Sequence, residues 1–96
     1  MDRQTALTLL ATHKPQLARQ FGVSSLALFG STARGQAHEG SDVDIMISFN
    51  TVATSTQYFG ARFYVEDVLQ CPVDLTTDKA LRKELLPCIE RDAINV

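Results

Sequence analysis

The chain has 96 residues, of which 45% are hydrophobic and 21% charged, the composition of an ordinary globular protein rather than a disordered one. So short a chain needs most of its length for a stable core, so residues 1–96 are expected to form one minimal domain without a second substrate-binding domain. Nine basic residues against eleven acidic ones give a net charge of −2, which excludes a global positive field able to gather long RNA or DNA by counterion release.

In chain order, Ala6, Leu9, Leu10, Leu17 and Phe21 recur at helical spacing. Pro15 suits the first turn of a second short helix, so two helical segments with a break near His13 are expected, ending at Gly22. Ser25 to Phe29 has the residue types of a short strand and stops at Gly30. After a polar loop from Gly35 to Ser41, the segment Val43 to Phe49 alternates. Val43, Ile45, Ile47 and Phe49 share one face, while Asp42, Asp44, Met46 and Ser48 share the other. A helix is expected from about Thr56 to Gln70, with Tyr58, Ala61, Val65, Val68 and Leu69 on one side. Pro72 opens a third strand, Val73 to Thr76, and Asp78 caps a last helix to about Leu86, before Pro87. The tail Ala93 to Val96 is read as an edge strand. No apolar run reaches the roughly 18–20 residues that span a bilayer, and the N-terminus lacks the order of a signal peptide. Cys71 and Cys88 stand far apart without a CxxC pairing, so reduced thiols and a cytoplasmic protein are expected.

The stretch GSTARGQAHEGSDVDIMI, Gly30 to Ile47, carries the chemistry. Gly30 and Gly35 have the glycine spacing of a P-loop, but Gln36 stands where that motif needs its lysine, and no Ser or Thr follows to hold magnesium. The carboxylates give a better reading. Asp42 and Asp44, two apart at a strand start, leave the same face and can grip one hard cation or bridge two. Asp74 lies in the next apolar strand; if the two strands are neighbours, all three carboxylates converge. Two carboxylates about 5 Å apart repel by roughly 3 kcal/mol at an effective dielectric near 20, a cost that Mg²⁺ would remove. Two such ions could clamp the α-phosphate of a nucleoside triphosphate. The turn at Gly30 and Ser31 would then admit the β- and γ-phosphates, with backbone amides and the Ser31 hydroxyl donating to them. Arg34 is either a further phosphate contact or a surface partner of Glu39 or Asp42.

Gly30-Ser31, ten residues, then Asp42-Val43-Asp44 resembles the GSx₁₀DxD signature of DNA polymerase β-like nucleotidyltransferases, with Val73-Asp74-Leu75 as the third acidic site. The small size resembles the minimal nucleotidyltransferase (MNT) antitoxins found beside HEPN-domain toxins. The resemblance implies an α+β fold, a mixed β-sheet flanked by helices. It implies a Mg²⁺-dependent protein adenylyltransferase that moves AMP from ATP to a tyrosine hydroxyl of a HEPN ribonuclease and silences it within a hetero-oligomer. On this reading Asp42, Asp44 and Asp74 are catalytic and hold the metal, and Gly30, Ser31 and Arg34 bind the nucleotide. Two rival readings share the signature: an antitoxin that acts by occlusion, and a small-molecule nucleotidyltransferase, which needs more structure to hold its acceptor. His13 and His38 are read as ordinary exposed histidines and Ser41 as a turn residue. The aromatics Tyr58, Phe59, Phe63 and Tyr64 cover more than one side of their helix, so they belong either to a well-buried helix or, for Phe59 or Phe63, to a partner surface.

Overall fold

The structure, a computed structural model, describes residues 2–35, 42–77 and 93–96. Helix α1 spans Arg3–Phe21. The Asp2 carboxylate caps it by accepting from the Thr5 amide at 2.8 Å, and Gly22 closes it in the left-handed region at φ 73°, where glycine meets no Cβ penalty. The expected break near His13 does not occur: the helix runs through Pro15. Proline removes one backbone donor, at a cost of about 3 kcal/mol in a helix interior. Ala6 and Leu10 before it and Leu17 after it are all essentially fully buried in the same core, and that shared burial outweighs the local preference. His13 is half-buried rather than exposed, with Nδ1 2.9 Å from the Tyr64 hydroxyl.

Strand β1 (Val23–Phe29) begins two residues before the expected start. Val23 is buried, and a bulge separates it from Ser25 in the pairing with β2. A single helical turn, α2 (Gly30–Ala33), follows β1. Strand β2 (Val43–Phe49) matches the expected alternation, with Val43, Ile45 and Ile47 buried and Asp44, Met46 and Ser48 half-buried. Helix α3 (Ser55–Leu69) crosses back over the sheet to β3 (Val73–Thr77). The short β4 (Ile94–Asn95) is the expected edge strand, held to β1 by the Val96 amide donating to the Leu26 carbonyl at 3.0 Å. The sheet order is β3-β2-β1-β4, with β2 antiparallel to β1 and parallel to β3, and β1 antiparallel to β4. This is the expected mixed sheet with helices. The helix expected from Asp78 and the bend at Pro87 lie outside the described residues.

One face of the sheet, carrying Leu26, Leu28, Val43, Ile45, Ile47, Val73 and Leu75, packs against Ala6, Leu10 and Leu17 of α1 and Ala61, Val65 and Leu69 of α3. Strand alternation sends Asp44 and Asp74 to the other face. Helix α3 starts with a capping box: the Thr54 hydroxyl accepts from the Gln57 amide at 3.1 Å, and the Gln57 side chain accepts from the Thr54 amide at 2.9 Å. Thr54→Ala should lower stability by about 1 kcal/mol, read as a lower denaturation midpoint in urea with an unchanged slope.

Candidate functional site

The end of β1 meets the start of β2 at the site. Gly30 has φ 73°, and a Cβ built on it would lie 2.9 Å from Asp44 Cγ and 3.0 Å from Asp44 Cβ. The backbone therefore needs glycine twice over, for its left-handed conformation and for the room it leaves Asp44. The expected Gly-Ser turn is the first part of α2, whose end is tied by the Arg34 amide donating to the Gly30 carbonyl and the Gly35 amide to the Thr32 carbonyl, both at 3.1 Å. Arg3 Nη1 reaches the Ala33 carbonyl at 3.4 Å and links α1 to the same turn. No sequence signal announces that contact, since it joins residues thirty positions apart.

In the parallel pairing, Asp44 stands directly beside Asp74 and Val43 beside Val73. The Val43 amide donates to the Pro72 carbonyl at 3.0 Å and fixes this end of the two strands. The strand neighbourhood on which the convergence of carboxylates depended is therefore present. It brings Asp44 and Asp74 side by side, while Asp42 lies exposed at the strand start, near enough for its charge to act on Asp44. Among the described residues no three Asp, Glu, His or Cys side chains form a ready metal cage, so the expected convergence of all three is met by a pair with a third carboxylate at its edge.

Burial raises the Asp44 carboxyl above its ordinary 3.8, and the charges of Asp74 and Asp42 and a hydrogen bond between Asp44 and Asp74 raise it further; Arg34 partly offsets them. The half-buried Asp44 carboxyl thus keeps its proton to higher pH than an ordinary aspartate does. A group raised in this way contributes stability that is complete below the ordinary carboxylate value and is lost as pH rises through its folded-state value. Metal-free protein should melt at lower temperature as pH rises through that window, and Asp44→Asn should flatten the dependence; thermal melts across pH check this. Oxygen donors with excess negative charge fit a hard divalent cation such as Mg²⁺.

Arg34 is exposed, and its positive charge reaches Asp44; Ser31 is half-buried on the same turn. Thr32, beside Ser31, is buried with its hydroxyl lacking a hydrogen-bond partner among the described residues, a feature that no residue pattern announced. Burial pushes the half-buried Cys71 thiol up, and the charges of Asp42 and Glu66 push it the same way, which keeps it in the unreactive thiol form. Cys88, His38, Glu39 and Ser41 lie outside the described residues. A cleft of about 470 Å³ opens elsewhere, between the start of α3 and the end of β3, lined by Tyr58, Phe59, Leu75 and Thr77 among others. Its β3 wall, Leu75 to Thr77, follows directly on Asp74, and neither Asp44 nor Asp74 lines it.

Residues 10–95 match the family described as nucleotidyltransferase domain. The protein adenylyltransferase MntA of Thermococcus cleftensis is 33% identical over 89 residues, covering 93% of this chain and 90% of the relative. The solved structure of a minimal nucleotidyltransferase superposes with a TM-score of 0.80 at 30% identity, covering 100% of this chain and 97% of that one. A chain from the complex of tri-AMPylated Shewanella oneidensis HEPN toxin with MNT antitoxin superposes with a TM-score of 0.64 at 17% identity, covering 92% of this chain and 69% of that one, a likeness of fold alone. The matched span includes the glycine turn, both aspartate strands and β4, and the chain accordingly belongs to the nucleotidyltransferase domain family.

Proposed function

We propose that this chain is a protein adenylyltransferase that moves AMP from ATP to a tyrosine hydroxyl of a HEPN-type toxin and thereby acts as its antitoxin in the cytoplasm. The observation that carries the chemistry is the in-register pair of Asp44 and Asp74, with Asp44 lying against the bare Cα of Gly30. The named activity of the Thermococcus relative supports the donor group and protein acceptor, and the toxin as partner follows the Shewanella complex.

The acceptor oxygen attacks the α-phosphorus, a new O–P bond forms, and the bond to pyrophosphate breaks. Gly30 and Ser31 hold the β- and γ-phosphates through backbone amides and the Ser31 hydroxyl, and Arg34 adds positive charge beside them. Asp42, Asp44 and Asp74 would hold magnesium, two ions being the expected complement; bound there, it supplies charge neutralisation on the phosphates and a lowered pKa for the acceptor hydroxyl. Asp74, exposed at the strand edge, accepts the hydroxyl proton and passes it to solvent.

Labelled ATP tests the reading. Label in the α-phosphate should stay on the toxin and label in the γ-phosphate should not. Retention of γ-label would mean phosphoryl transfer instead. No label despite stable binding would favour neutralisation by occlusion.

A further inference from the structure

The outer side of α3 carries an unusual sequence of side chains. Phe59 is 47% and Phe63 65% exposed, and Asp67, also exposed, follows at the same four-residue interval. Residues at this spacing form one ridge along a helix. Beside the ridge lies the cleft of about 470 Å³, where Tyr58 and Phe59 meet edge to face at 5.2 Å. The segment from Asn50 to Ala61 contains no charged residue, and Arg62 faces Glu66 at 3.6 Å rather than the ridge's end. An apolar ridge with a groove at its side and a single acidic end is the complement of a helix with aliphatic side chains and one basic residue in step with them.

We propose that this face docks an amphipathic helix of a partner protein, with two aliphatic residues against Phe59 and Phe63 and a Lys or Arg opposite Asp67. Helix α3 covers the sheet face built from Ile45, Ile47, Val73 and Leu75, whereas Asp44 and Asp74 leave the opposite face. The docked helix therefore anchors the partner and does not present the hydroxyl that is modified. The surface calls for neither nucleotide nor metal, so its test stands apart from the transfer chemistry.

The probe is a synthetic amphipathic helix with leucines four residues apart and a lysine four further on, read by fluorescence anisotropy. Wild-type chain should bind it, and Phe63→Asp should weaken binding by at least about tenfold with an unchanged melting temperature, because the ring lies outside the core. Asp67→Lys should weaken binding of the lysine peptide, and exchanging that lysine for glutamate should restore it. Failure of the wild type to bind, equal binding to Phe63→Asp, or no rescue by the charge exchange would overturn the proposal. So would light scattering that shows a dimer abolished by Phe63→Asp, since the face would then belong to a second copy of this chain.

Discussion

An Asp42→Asn/Asp44→Asn chain is expected to fold, to bind its partner as tightly as the wild type, and to lose AMP transfer by three or more orders of magnitude, on the order of 4 kcal/mol of transition-state stabilisation. The asymmetry follows from where the two side chains sit. Asp44 lies beside Asp74, with both Asp74 and Asp42 acting on it as like charges, so neutral amides relieve repulsion in the metal-free protein. The core residues Val43 and Ile45 on either side of Asp44 keep their burial. Without metal the double variant should melt no lower than the wild type, and added Mg²⁺ should raise the melting temperature of the wild type only. Calorimetry with and without magnesium, with partner binding measured in parallel, separates this from a variant that has merely unfolded. A double variant that failed to fold would mean that the carboxylates support the structure, contrary to the repulsion argument.

Gly30→Ala is the second large effect. Its cost has two parts, because the added methyl meets a left-handed backbone and the Asp44 carboxylate together. The backbone part is on the order of 1–2 kcal/mol. The contact part is relieved only by moving Asp44 away from its place beside Asp74, and a displacement of about 1 Å in a reacting group can lower a rate roughly a hundredfold. The variant should remain folded at low temperature yet lose more activity than its lowered stability explains. Transfer rates taken well below the melting midpoint check this. An alanine variant with near-normal activity would show that the Asp44 position is not what the glycine protects.

Much of the candidate site's layout was legible because it depends on short-range spacing. The two-residue interval of Asp42 and Asp44 put both on the polar side of an alternating strand, and β2 has the bounds that the alternation predicted. The glycine turn was equally plain, although its contact with Asp44 was not, since that depends on the register of β1 and β2, where Phe29 pairs with Asp44. The place of Asp74 depends on which strands are neighbours, which spacing does not state, and the parallel pairing of β2 with β3 decides it. Sequence and structure part where tertiary packing outweighs local preference: Pro15 sits inside α1 because the core holds both halves of that helix, and His13 is drawn in by Tyr64 on α3. The capping box of α3 is written in Thr54-Ser55-Thr56-Gln57, a Thr-x-x-Gln pattern before an apolar helix. Burial and the charges of Asp74 and Asp42 raise the Asp44 carboxyl, an effect of the strand pairing that residue spacing does not express.

Intact-mass spectrometry of the proposed HEPN-type toxin, after incubation with this chain, ATP and Mg²⁺, tests the central claim most directly. The account predicts a gain of one or more AMP units that is absent with the Asp42→Asn/Asp44→Asn chain. An unchanged toxin mass, with the complex formed and ATP intact, would contradict it.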